Sequence, residues 1–302
     1  MKHSSSFQQG IFYAFAAYFM WGILPLYWAL ITEINATEIL MFRIILSLIF
    51  MIILIPITKQ WNQLKGDIQQ LIQTPKKLII IVIAGYVVTL NWGIFIYAIN
   101  ENYVLQTSLG YYINPLVSIM LAMIFFKERF TRLEWCAIGL ATIGVIYMTI
   151  KVGEFPFISL FLAFTFGIYG LLKKLVPLSA ISSITIETFA TTPMALLYLI
   201  FINHSHGLSI GMNSSTFWLI FSGIVTAVPL LSFSAAANRI PLSLIGFIQY
   251  VGPTLIFLNG IFVFKEAFNL DQFITFCFIW SGILIYVLSQ VVKIRRKPNP
   301  LT

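Results

Sequence analysis

Long apolar runs, cut by short groups of charged residues, glycine, proline or asparagine, dominate the chain from end to end. Ten such runs can be marked, near residues 11–31, 38–58, 78–99, 104–126, 132–150, 156–173, 180–202, 216–238, 242–264 and 270–292. Each has the roughly 20 residues that a helix needs to cross a hydrocarbon core about 30 Å thick. The sixth run is the least regular, since it contains Gly167 and Gly170 and ends at Lys173-Lys174. Nowhere does polarity alternate over segments of about ten residues, the pattern that an outer-membrane barrel requires. The expected fold is therefore an all-α integral membrane protein with ten transmembrane helices.

Composition strengthens that reading. Charged residues are 9% of the chain, hydrophobic residues are 59%, and mean hydropathy is +0.93. Soluble domains carry about 25% charge, so this chain cannot clothe a water-facing surface of ordinary size. Cys136 and Cys277 lie inside apolar runs without CxxC spacing and imply neither a disulfide nor a metal framework. The first run is long enough to span and lacks a small-residue cleavage site, so it reads as a helix and not as a cleaved signal.

The net charge of +8 suggests nucleic acid until the charges are placed. With the N-terminus in the cytoplasm and alternating crossings, 15 of the 18 basic residues fall in cytoplasmic segments, from Lys2 to the terminal Lys293, Arg295, Arg296 and Lys297. Only Lys151 and Lys265 fall outside, and Arg43 lies within a span. This is the positive-inside asymmetry of a membrane protein with both termini cytoplasmic. The basic charge is spread over short loops, so no nucleic-acid partner is expected.

The chain also repeats itself. Residues 113–130, INPLVSIMLAMIFFKERF, are echoed by residues 251–268, VGPTLIFLNGIFVFKEAF. Pro115 matches Pro253, Lys127-Glu128 matches Lys265-Glu266, and Phe126 and Phe130 match Phe264 and Phe268, all 138 residues apart. Asn100 and Asn238 extend the match at the same offset. Five crossings separate the copies, so the second is upside down relative to the first. Inverted repeats of this kind characterise secondary transporters, whose substrate sites lie near the bilayer midplane between the halves. Such interfaces need small residues and local helix irregularity, supplied here by Pro115, Pro229, Gly252 and Pro253.

The motifs SLGYYINPLVSIML (108–121), FFKERF (125–130), IVTAVPLLSFSAAA (224–237) and IGFIQYVGPTLIF (245–257) resemble the RarD group in the EamA branch of the drug/metabolite transporter superfamily. AYFMWGILPLYW (17–28) and NWGIFIYAIN (91–100) resemble it as well, and the likeness runs from about residue 9 to 290. The resemblance implies a permease of the bacterial inner membrane with two inverted repeats, at 10–149 and 156–288, and a basic cytoplasmic tail at 293–302. It implies a small organic solute, a metabolite, amino acid or drug, moved through a cavity by alternating access. In relatives that cavity is lined by helices three, four, eight and nine, with one and six contributing.

Ionisable groups inside a membrane cost about 2.5–3.5 kcal/mol each at a helix centre and mark pathways by default. Arg43 and Glu187 lie well within spans, on the counterpart second and seventh helices, and Glu38 lies near the start of the second. They are candidates for gating, ion pairing or proton coupling. The competing structural account has Arg43 snorkelling to the interface and Glu187 capping nearby backbone. Neutral groups supply the cavity candidates: Trp21, Asn91, Trp92, Tyr111, Tyr112 and Asn114 with Pro115, and Gln249 and Tyr250 with Pro253. A proline frees a carbonyl one turn earlier, and amides there can bind solute or simply tie helices together.

Other chemistry is sparse. His204 and His206 form an HxH without further ligands. The sequence contains no Walker A, G-x-S-x-G or HExxH motif, and no cofactor is expected. The two Lys-Glu pairs would stand at opposite membrane faces, so they read as helix-end anchors. An intramembrane enzyme or a non-transporting receptor or scaffold is the alternative to a permease. The first lacks an intramembrane acid-base cluster. The second lacks a soluble domain, since the longest loop has about 19 residues.

Overall fold

All ten apolar runs fold as helices long enough to span a bilayer. The computed structural model describes residues 2–101, 103–153, 155–205, 207–265 and 270–296. Glu266 and Phe268 of the second repeat copy, His206 of the HxH and Lys297 of the tail lie outside the described residues. The spanning helices are α1 (Lys2–Trp28), α2 (Ala36–Ile57), α4 (Pro75–Asn100), α5 (Val104–Phe126), α6 (Arg132–Val152), α7 (Phe157–Leu175), α8 (Ala180–Ser205), α9 (Ser214–Ala237), the pair α10 (Leu242–Gln249) and α11 (Val251–Phe262), and α12 (Leu270–Arg296). Among the described residues there is no strand. Ten crossings return the chain to the face it started from, called here the terminal face; the other is the far face.

The segment expected as the longest loop contains a helix of its own, α3 (Trp61–Gln73). Its Leu64, Asp67 and Leu71 share one face and are buried against α4 and α8. At 13 residues it is too short to cross. The ninth span, expected as one helix, is broken at Tyr250. Gly252 and Pro253 account for the break. Proline has no N–H, and its ring collides with the carbonyl four residues back, that of Gln249. Pro115, at the matching point of α5, leaves that helix continuous.

The repeat is visible in the backbone. Lys127, the C-cap of α5, and Lys265, two residues past the C-cap of α11, both adopt the left-handed conformation, with φ of 52° and 57°. Packing follows the same symmetry, because helices of one half dock chiefly on helices of the other. α1 packs on α9 and α11, while its counterpart α7 packs on α4 and α5. α2 faces α8, α5 faces α10, and α6 faces α12, each helix meeting its own counterpart. The α5–α10 contact is close: a Cβ on Gly246 would lie 3.0 Å from the Pro115 carbonyl oxygen. Beside it the Tyr250 hydroxyl donates to the carbonyl of Tyr112 at 3.3 Å, so two repeat-related tyrosines touch across the interface. Phe12, Ile52, Phe189, Leu197 and Ile200 stay exposed on the outside of the bundle, where lipid would cover them. The two inverted five-helix repeats are therefore interleaved, and the space between them is the natural place for a site.

Candidate functional site

A cavity of about 630 Å³ lies between the repeats, within the range of small-molecule sites. Its deepest lining residues, Tyr18, Asn91, Thr226 and Gln249, sit near mid-depth. From there the walls run to Ile34, Asn100 and Gln272 at the far-face helix ends. Apart from Thr226 and Gln249, which lie at or just past mid-span, the lining residues come from mid-span or the far-face half of their helices, so the cavity extends to the far face. Helices α1, α4, α5, α7, α9 and α10–α11 contribute, with α2 and α12 in addition.

The floor is aromatic. Trp21 meets Phe166 at 5.5 Å and Phe233 at 5.8 Å between ring centroids, and Tyr169 stacks on Phe233 at 5.6 Å. Tyr18 joins this cluster and donates to Gln249 Oε1 at 3.3 Å. Below it the terminal face is tied by polar contacts, between the halves at Glu128 and within the second half at Lys174 and Asn238. Glu128 accepts from the Leu242 backbone N–H at 3.1 Å and from the Ser243 hydroxyl, which caps the start of α10. Lys174 donates to the Ile240 carbonyl at 2.7 Å, and Asn238 donates to that of Leu178 at 2.6 Å.

Most of the expected residues converge on the cavity. Trp21, Asn91, Trp92, Tyr111, Asn114, Gln249 and Pro253 line it, and Arg43 joins them. Asn91 also ties helices, because its amide donates to the Leu162 carbonyl at 2.9 Å and the Thr165 hydroxyl at 2.8 Å on α7. Pro115 and Tyr250 stand behind the wall, in the α5–α10 contact described above. Helix geometry explains the division: Tyr111 and Asn114 are three residues apart and share a face, as do Gln249 and Pro253 four apart, whereas Pro115 and Tyr250 point about 100° from Asn114 and Gln249; Tyr112 also reaches the cavity lining.

The three ionisable candidates separate. Arg43 presents its guanidinium to the cavity, 4.0 Å above the ring of Trp92 and 5.6 Å from that of Trp28. Its Nε is buried without a hydrogen-bond partner among the described residues. Glu187 lies outside the main cavity, in a small crevice between α2, α4, α8 and α9. It is paired with Lys173, and it accepts from Ser183 at 2.9 Å and Tyr169 at 3.0 Å. Glu38 accepts from both the N–H and the hydroxyl of Ser209, each at 2.9 Å, which fastens the α8–α9 loop to α2.

Sequence reasoning missed several contributors. Phe166, Phe233 and Tyr169 were lost among 28 phenylalanines and 13 tyrosines. Lys173 was counted with the cytoplasmic charges, yet its side chain turns inward and is 2% exposed. Thr226 on α9 lines the cavity with its hydroxyl unpartnered among the described residues, as is the Oδ1 of Asn114. Among the described residues no group of His, Cys, Asp and Glu could hold a metal ion.

Comparison with known proteins agrees with this architecture. A model of the EamA-like transporter family matches residues 8–150. Protein RarD of Escherichia coli (strain K12) is 44% identical over 96% of this chain and 97% of its own length. An uncharacterized transporter of Bacillus subtilis (strain 168), YojE, is 39% identical over 96% and 97%. A solved crystal structure at 14% identity superimposes with a TM-score of 0.70 over 94% of this chain and 97% of that one, a likeness of fold. An inverted pair of five-helix repeats, a cavity between them and near full-length identity to RarD proteins have one common reading: the chain is a multi-pass membrane protein that belongs to the EamA-like transporter family, in its RarD group.

Proposed function

We propose that the chain is a secondary permease that moves a small organic solute through this cavity by alternating access. The observation that carries the reading is the cavity's position between two pseudo-symmetric halves, open to one face and sealed from the other. Two inverted halves can exchange conformations, so the packing seen at the open end and the packing seen at the closed end are two settings of one device. The halves are read as residues 10–149 and 156–288. The membrane is read as a bacterial inner membrane with both termini cytoplasmic, which makes the far face external and this conformation outward-open.

Opening to the terminal face would require the aromatic floor and the inter-half ties to part. Glu128 would exchange its partners on the other half for water, and α10 would lose the cap that Glu128 supplies. Arg43 and Asn91 stand on the solute's path, whereas Glu187 with Lys173 is a gate component beneath the floor and Glu38 is an external loop clasp. Flux of a radiolabelled candidate solute into proteoliposomes tests the reading. Asn91→Leu and Gln249→Leu should each slow it at least tenfold, a loss of about 1.4 kcal/mol of interaction. Flux at the wild-type rate in both variants rejects the cavity as the route.

A further inference from the structure

We propose that the cavity recognises organic solutes bearing a carboxylate, with Arg43 as the group that binds it. The inference rests on the permease reading for its physiological meaning and deepens it by naming the solute class. Among the described residues Arg43 is the only charged one in the cavity wall. A guanidinium is charged under all ordinary conditions and presents a planar fork of donors. Its face is covered by Trp92, which leaves the donor-bearing edge as the part that can meet a partner. Such a cation in a low-dielectric wall is costly until an anion pairs with it.

Among the described residues no carboxylate lines the cavity; Glu101, next to the lining Asn100 at the far-face end of α4, is exposed. Glu38, five residues before it on the same helix, is engaged by Ser209. Glu187 is engaged by Lys173, Ser183 and Tyr169, Glu33 by Asn213, and Asp271 by Lys151 and Tyr147. None of these carboxylates lines the cavity. Arg43 Nε, buried beside the wall, has no hydrogen-bond partner among the described residues, so the protein itself leaves this guanidinium incompletely satisfied, and a charge-assisted bond to its edge is the strongest the wall could form.

The remaining walls say what the anion is attached to. Trp21, Trp28, Trp92, Phe95, Phe166 and Phe257 surround the space, so an apolar or aromatic body fits it better than a hydrated inorganic ion. The Ser47 hydroxyl donates to the Gly223 carbonyl at 3.1 Å and fixes α2 against α9. Arg43 lies one turn from that contact toward the far face, and Thr226 one turn from it toward the terminal face. Their separation along the bundle is then about 10 Å. An elongated solute with a carboxylate at one end can span the two.

The test uses the purified full chain in detergent, titrated with phenylacetate, its neutral amide phenylacetamide, and chloride, and read by tryptophan fluorescence and thermal melting. Trp92 beneath Arg43 is a built-in reporter. Phenylacetate is expected to bind at least tenfold more tightly than phenylacetamide, the ratio for about 1.4 kcal/mol. Arg43→Gln should bind the two alike, and Arg43→Lys should keep part of the preference, since it keeps charge without the fork. Equal binding of acid and amide to the wild type overturns the inference, as does an undiminished preference in Arg43→Gln, or failure of phenylacetate to bind at millimolar concentration. Chloride binding that competes with phenylacetate and matches it in stabilisation overturns it too, in favour of an inorganic-anion site. The wild-type comparison decides even if the variants fail to fold. Proteoliposome flux separates this inference from the permease reading: carboxylate-selective binding without flux leaves the site and removes the permease, whereas flux of the amide with none of the acid does the reverse.

Discussion

Arg43 and Glu187 occupy counterpart helices, α2 and α8, and both are charges deep within a bundle that has almost none. Their surroundings are opposite. Glu187 is closed in by an ion pair with Lys173 and hydrogen bonds from Ser183 and Tyr169, at 3% exposure. Arg43 has two aromatic faces and an unpartnered nitrogen, and it opens on the cavity. A satisfied buried network specifies one packing and resists change. An unsatisfied charge at a cavity wall does the reverse, because its environment is completed only by something that arrives. On the proposed reading, one fold carries a structural charge in one half and a receptive charge in the other.

The sharpest way to break this comparison is Glu187→Leu. It leaves the Lys173 ammonium buried without its partner, a change that typically costs about 3–5 kcal/mol. The variant should melt well below the wild type in detergent. The double variant Lys173→Met with Glu187→Leu should recover most of the loss, since an apolar pair of similar size removes both desolvation penalties. A single variant that melts with the wild type would show that the pair does not hold the closed end.

Tyr169→Phe is milder. It deletes one hydrogen bond to the carboxylate and keeps the ring stacked on Phe233. Hydrogen bonds to charged groups contribute about 1.5–3 kcal/mol, and thermal unfolding should report a loss in that range. If solute flux then rises while stability falls, the tyrosine is part of the gate and not only of the core.

Gly223→Ala tests how Arg43 is held. A Cβ there would lie 2.3 Å from the backbone carbon of Leu46, so α2 and α9 would have to separate. Overpacking of this kind costs about 1–3 kcal/mol. Because Leu46 is three residues from Arg43 on α2, the same shift should weaken any selectivity for carboxylates over amides. Unchanged selectivity alongside a measurable loss of stability would detach the two.

How much of this contrast was legible in the sequence depends on what each inference needed. Hydropathy sufficed for the ten spans, since length and composition alone decide whether a run can cross. It did not disclose α3, whose 13 residues bury only Leu64, Asp67 and Leu71 between two polar ends. The Gly252-Pro253 step suggested an irregularity, and only the folded structure shows that it becomes a break at Tyr250 while Pro115 does not break α5. Arg43 and Glu187 stood out equally as expensive charges. What separates them is Lys173, which sits beside Lys174 at a helix end and reads in sequence as one of two solvated cations. The two differ by about 100° around α7, enough to send one to Glu187 and the other to the Ile240 carbonyl. Rotation about a helix axis also decides that Tyr111 and Gln249 line the cavity and Tyr250 does not. Apolar-run analysis carries no such angle when every face of a helix is apolar.

The smallest expected effect on stability is the most informative. Arg43→Gln removes a cation that has no carboxylate partner among the described residues, so no ion pair between them is lost and no opposite charge is stranded. The lost contact with Trp92 is worth about 0.5–2 kcal/mol, while relief of the cation's desolvation acts in the other direction. The two terms nearly cancel, and the variant should melt within about 1 kcal/mol of the wild type, several-fold less than the effect at Glu187. Solute flux, by contrast, should fall at least tenfold, equivalent to about 1.4 kcal/mol. A large loss of stability in Arg43→Gln would mean that the guanidinium is a structural tie like Glu187, and the division between a structural and a receptive charge would collapse. Near-native melting with strongly reduced flux would instead place the two counterpart helices in different roles: α8 holding the closed end, and α2 presenting the charge that the solute must satisfy.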